Sequence, residues 1–168
     1  MLIAATLEKM IVNSGRNMHD INHLIKVWAI AHTIGKQEKL DEKSQETLEL
    51  AAIVHDIACP LCREKYGNTL GGNQEREGGP LAAEFLRRCG WRESVVTRVS
   101  QLVSRHHTYA NVDGLDCQIL LEADFLVNAD EEHLSQNSIL SMRKNVFQTA
   151  TGIRLLEELF CSPKDTGE

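Results

Sequence analysis

The chain has 168 residues, of which 42% are hydrophobic and 25% charged, enough to enclose one sizeable core and a cleft. Its 24 acidic and 18 basic residues give a net charge of −6, which repels phosphate backbones and argues against a nucleic-acid polymer as partner. No apolar run approaches the roughly 20 residues that span a bilayer, and the opening Met1–Met10 is too acidic and too short in its apolar part for a signal peptide, so a cytoplasmic location without a membrane partner is expected.

Helical periodicity carries most of the structural signal, because only Pro60, Pro80 and Pro163 interrupt the chain and alternating β-branched runs are missing. A first helix fits Leu2 to about Asn13, closed by Gly15, and a second runs from near Met18 to Ile34, stopped by Gly35. A third fits Asp41 to about Ala58, with Asp41 as N-cap and Pro60 just beyond its end. The density of Gly, Asn and Pro from Cys59 to Gly79 reads as a long loop, of the kind that is usually functional or mobile.

Pro80 then begins a fourth helix, Leu81 to Cys89, ended by Gly90, and a fifth follows from about Arg92 to His107. A turn over Asn111–Asp116 leads into a further apolar stripe of Cys117, Leu120, Leu121, Asp124 and Val127, and a last helix spans about Ser138 to Phe160. The reading is one all-α domain over residues 1–161, a bundle of about six to seven helices, with a frayed polar tail at 162–168.

Polar residues on core-facing stripes mark the chemistry. His23 shares a stripe with Val27, Ile30 and Ile34, the adjacent pair His55-Asp56 ends the third helix, and Asp124 interrupts an apolar stripe. Burying a bare carboxylate costs several kcal/mol or more, whereas two imidazoles and two carboxylates converging on a divalent cation offset that cost. A lone His-Asp dipeptide would mean little, as His19-Asp20 shows, but three helices each offering a ligand inward favour a metal.

The order Asp20-Ile-Asn-His23, Ala-Ile-Val-His55-Asp56 and Glu-Ala-Asp124-Phe-Leu resembles the HD-domain phosphohydrolases over about residues 18 to 130. The resemblance implies a helical HD bundle with His23, His55, Asp56 and Asp124 as metal ligands. It also looks like the two-metal members of that family, with His106 and His107 in the later second-metal place and Glu75 standing in register with the missing earlier histidine. Glu77 is a rival for that place, while a cation at the negative end of the fifth helix and an acidic first turn explain these residues as well. Cys59 stands where relatives resembling the deoxynucleoside monophosphatases carry a glutamate. Arg105-His-His107-Thr-Tyr109 looks closer to the HD hydrolases that cleave dinucleoside polyphosphates.

The function implied is a metal-dependent phosphohydrolase acting on a small phosphorylated metabolite or nucleotide through a metal-activated water, with Asp56 and His106 in the catalytic roles. One or two divalent ions are expected, with Fe, Mn, Mg, Ni and Co all open. Lys26, Arg63, Lys65 and Arg105 are the candidate substrate-binding cations. A diiron HD-fold oxygenase and a catalytically silent nucleotide-sensing module are the alternatives, and a homodimer stays open. The odd count of five cysteines suits reduced core residues, and Cys59-Pro-Leu-Cys62 lacks the context of a redox or zinc motif.

Overall fold

The computed structural model of the protein describes residues 2–161, and the expected frayed tail at 162–168 lies outside them. Among the described residues there are helices and no strand, in the order α1 (Leu2–Asn13), α2 (Met18–Gln37), α3 (Glu42–Val54), α4 (Cys59–Tyr66), α5 (Gly71–Arg88), α6 (Glu93–Val103), α7 (Leu115–Glu131), α8 (Gln136–Asn145) and α9 (Ala150–Phe160). The all-α class holds, with nine helices among the described residues where about six to seven were expected. No helix among the described residues is long and apolar enough to cross a membrane.

Helices α3 and α7 form the axis. Every residue from Thr47 to Val54 of α3 and from Asp116 to Val127 of α7 is buried, and polar members such as Glu49, Gln118 and Glu122 are hydrogen-bonded there. Around α3 pack α1, α2, α6 and α7, while α5 lies along α6. Leu48, Leu50, Ile53, Ile119, Leu120 and Leu126 are each exposed by 2% or less. At about 2 kcal/mol per buried aliphatic side chain they supply much of the driving force. Asp41 caps α3 as its sequence position suggests, accepting from the Lys43 and Ser44 amides at 3.0 and 3.1 Å.

Several boundaries differ from the sequence reading, three of them for packing reasons. Gly35 does not stop α2, which runs on to Gln37 before Lys39 takes the left-handed turn at φ 59°. A Cβ at Gly35 would meet Gln45 Oε1 at 2.3 Å, so this glycine permits close approach of α3. The expected loop from Cys59 to Gly79 is instead α4, with Pro60 in its first turn, and the first half of α5. Pro80 therefore lies inside α5, and Gly78 and Gly79 face α6, where Cβ atoms would meet Val103 Cγ1 at 2.9 Å and Ser104 Oγ at 2.0 Å. The expected last helix is divided between α8 and α9. The buried Glu122 carboxylate accepts from the Gln148 and Thr149 amides at 2.7 and 3.0 Å and holds the break open.

Helices α3 and α6 also end earlier than expected, at Val54 and Val103, and turns over residues 55–58 and 104–107 follow them. These two turns carry His55-Asp56 and His106-His107, and they meet with the His55 and His106 rings 5.4 Å apart.

Candidate metal centre

The second turn of α2 presents His23, the turn after α3 presents His55 and Asp56, the middle of α7 presents Asp124, and the turn after α6 presents His106 and His107. His23, His55, His106 and Asp124 are exposed by 4% or less. His23 Nε2 lies 3.1 Å from His55 Nε2 and 3.2 Å from Asp124 Oδ1. Asp56 Oδ2 is 3.6 Å from both of those imidazole nitrogens, and its Oδ1 is 3.5 Å from His106 Nε2. Asp56 thus stands between two groups of donors, one with His23 and His55 and one with His106 and His107, each close enough to share an ion.

The ring orientations are fixed from behind. His55 Nδ1 and His106 Nδ1 donate to the carbonyls of Ala52 and Val103 at 2.8 and 2.7 Å, and His23 Nδ1 donates to Glu131 Oε2 at 2.8 Å. With Nδ1 carrying the proton, each neutral imidazole turns a bare Nε2 lone pair inward. Two such lone pairs at 3.1 Å repel unless a proton or a cation lies with them. His106 Nε2 and His107 Nε2 are buried and have no hydrogen-bond partner, which buried polar atoms rarely tolerate.

The electrostatics show the positive charge that this centre demands, which a proton on His23 supplies when a metal does not. Burial opposes protonation of His23, but Asp124, Asp56 and Glu131 outweigh it and push its pKa up to about 9. Burial also opposes the ionised forms of Asp56 and Asp124, yet the surrounding imidazoles hold both carboxyls below the usual carboxylate range. Burial and the neighbouring His106 push His107 down to about 4, which keeps it neutral and able to ligate near pH 7. A donor set of imidazole and carboxylate, with bare nitrogens facing the carboxylates, fits a divalent cation.

His23, Asp56, His107 and Asp124 line a cavity of about 330 Å³ with His19, Asp20, Cys59, Arg63, Thr69, Leu70, Gly71, Gln74, Asn128 and Glu132, and His55 and His106 lie buried behind them. Of the four cations expected to bind substrate, Arg63 alone lines it, held by the Asp20 carboxylate. Lys26 points to another groove and donates to Glu131 Oε1 at 2.9 Å, Lys65 donates to Glu77 Oε1 at 2.8 Å, and Arg105 donates to the carbonyls of Ala110 and Asn111. In each case a nearer acceptor claims the side chain.

The structure does not bring Glu75 or Glu77 into either donor group. Glu75 Oε1 accepts from the His107 amide at 3.0 Å and from Thr108 Oγ1 at 2.9 Å, bracing that turn from behind, and Glu77 takes Tyr66 and Lys65. Gln74 occupies the cavity side instead. It lies one turn before Gly78, whose face meets His55 and Ala58, whereas Glu75 lies one turn before Gly79, whose face meets Ser100 and Ser104.

Gln74 Oε1 accepts from Cys59 Sγ at 3.3 Å, and burial, reinforced by the Asp56 charge, raises the Cys59 pKa and keeps it a thiol. Asn128 and Glu131, also unforeseen, fall four and seven residues after Asp124 on one face of α7. Asn128 Nδ2 donates to Asp124 Oδ1 at 3.0 Å. That helical spacing of polar residues was the available signal.

The HD domain family model matches residues 20–135. No curated protein matches the chain. Among solved structures the chain is similar to a predicted HD superfamily hydrolase from an uncultured Thermotogales bacterium, at 25% identity and a TM-score of 0.63, covering 93% of this chain and 82% of that one. With its helical bundle and its His and Asp donors gathered in one cavity, the chain belongs to the HD domain family.

Proposed function

We propose that the protein is a metal-dependent phosphohydrolase acting on a small phosphorylated metabolite or nucleotide. The observation that carries this reading is the convergence of inward-facing Nε2 atoms and the Asp56 and Asp124 carboxylates beside one cavity that Arg63 also lines. His23, His55, Asp56 and Asp124 would hold a first divalent ion, and Asp56, His106 and His107 a second. When bound, such ions supply Lewis acidity toward the phosphoryl group and activate water.

The protein's own groups complete the chemistry. Asp56, with 26% of its side chain exposed, is the ligand open to the cavity and orients the attacking water. His106 Nε2, 3.5 Å from Asp56 Oδ1, stands beside that position to accept a proton when it is not itself a ligand. Arg63 offsets charge on the phosphoryl oxygens, and Asp20 fixes its direction. A cavity of about 330 Å³ suits a metabolite or mononucleotide.

The test is phosphate release from p-nitrophenyl phosphate, its bis ester, nucleoside monophosphates and dinucleoside polyphosphates with Mn, Fe, Co or Mg. Metal-dependent release from small esters, lost in Asp56→Asn, is expected. No release with any metal would contradict the reading, and bound iron with dioxygen consumption would favour the oxygenase.

A further inference from the structure

The three inward imidazoles are not braced alike. His55 and His106 each donate Nδ1–H to a carbonyl three residues earlier on their own segment, at 2.8 and 2.7 Å. His23 donates instead to a carboxylate from another helix, Glu131 Oε2, at 2.8 Å. Glu131 ends α7 seven residues after Asp124, so α7 delivers both a candidate ligand and the group behind a second candidate ligand. The Glu131 side chain is 12% exposed, which keeps its charge poorly screened. Its other oxygen, Oε1, accepts from Lys26 Nζ at 2.9 Å, and Lys26 lies three residues after His23 on α2. On its outer side the His19 ring stacks over His23, with centroids 6.5 Å apart and an angle of 6°.

From this arrangement we infer that Glu131 is a positioning residue for the metal centre, with Lys26 as its anchor. Glu131 fixes the His23 ring in the plane that aims Nε2 at His55 and Asp124, commits the His23 proton to Nδ1, and makes His23 the most electron-rich of the three imidazoles. A carbonyl can do the first two of these, while a carboxylate also strengthens the donor. Lys26 takes the second carboxylate oxygen, so that a single Glu131 rotamer faces His23. The inference rests on the metal-binding part of the proposed function, and its test does not depend on turnover.

The experiment compares wild type with Glu131→Ala, Glu131→Gln and Glu131→Asp. It measures the zinc dissociation constant by competition with a chelator, and the hydrogen-bonded imidazole N–H resonances of the zinc-loaded proteins by proton NMR. Within the metal centre the structure supplies three such N–H groups, on His23, His55 and His106, and outside it His32 Nδ1 donates to Glu49 Oε1 at 2.8 Å and gives a reference signal that the variants should not move. Glu131→Ala should weaken zinc about 10- to 100-fold, and it should lose the His23 resonance while keeping the other two, whose persistence shows that the fold is intact.

Glu131→Gln, which keeps an acceptor and loses the charge, should retain the resonance and fall between wild type and Glu131→Ala in affinity. Glu131→Asp should recover part of the loss. Affinity within twofold of wild type in Glu131→Ala, or a His23 resonance that survives there, would overturn the inference. Equal affinity of Glu131→Gln and wild type would overturn the part assigned to the carboxylate charge. A protein that shows the graded affinities and releases no phosphate would contradict the proposed function and leave the role of Glu131 standing.

Discussion

Stripped of metal, the protein should lose stability as pH rises through the range in which the unfolded chain's histidines are already neutral. In the folded protein the Asp124, Asp56 and Glu131 carboxylates outweigh burial and raise the His23 pKa from its ordinary 6.5 to about 9. A group raised on folding contributes fully below its unfolded pKa and loses that contribution as pH climbs through its folded pKa. At about 1.4 kcal/mol for each pH unit between the two values, protonated His23 contributes about 3 kcal/mol near pH 6, and about 2 kcal/mol of that should be gone by pH 8. The His23 side chain is 6% exposed, so little of this is lost to solvent screening.

His106, also raised by Asp56 against burial, adds to the same trend, whereas His107, lowered to about 4, changes stability only below its ordinary 6.5. The buried thiols begin to matter only near their unfolded pKa of about 8.5, which leaves pH 6.5 to 8 for His23. The assay is urea unfolding of chelator-treated protein across that window, beside the manganese-loaded protein and metal-free His23→Gln. The metal-free wild type should lose stability, the variant should lose much less, and the loaded protein should hold level or gain, because ligation requires a neutral ring. A level or rising curve for the metal-free wild type, or an equal fall in His23→Gln, would refute the reasoning.

Gly71→Ala places a Cβ 2.8 Å from His107 Cγ, so the ring must leave its position. In manganese-saturated protein, where the proposed function places two ions per chain, metal stoichiometry should fall to one, as read by elemental analysis, while the first group of ligands stays loaded. Arg63→Ala should raise KM for a phosphate ester about tenfold and change kcat less, because the guanidinium meets phosphate in ground and transition states alike. Glu122→Ala strips the acceptor from Gln118 Nε2, the Gln148 and Thr149 amides and Thr149 Oγ1. It should cost about 3 kcal/mol and lower the melting temperature by about 10 °C in a calorimetric scan.

The stripes that carry His23 and Asp124 were legible because a charged or imidazole residue among apolar neighbours at helical spacing has few other uses. His23 on α2 and Asp124 on α7 both fall where that reading puts them, and their convergence with His55 and Asp56 followed from a pattern of residues spread over three helices. What stayed hidden depends on pairs distant in sequence. The glycines at 78 and 79 read as a loop, yet they serve the contact of α5 with Val103, Ser100 and Ser104, which no local rule reveals.

Once α5 starts at Gly71 rather than at Pro80, its helical register decides that Gln74 faces the cavity and Glu75 braces the His107 turn. The cations misled for a related reason. Lys26, Lys65 and Arg105 each meet an acceptor that only the fold brings near, and only Asp20 leaves its partner Arg63 on the cavity wall. The break between α8 and α9 likewise depends on Glu122, 26 residues before Gln148.

The most direct test of the central claim is elemental analysis of wild type, Asp124→Ala and His55→Ala, each purified without a metal-affinity column. The account predicts one or two transition-metal ions per wild-type chain and a loss of more than half of that content in each variant. Stoichiometric metal retained in both variants, or a wild-type chain that takes up none when offered Mn, Fe or Co, would contradict it.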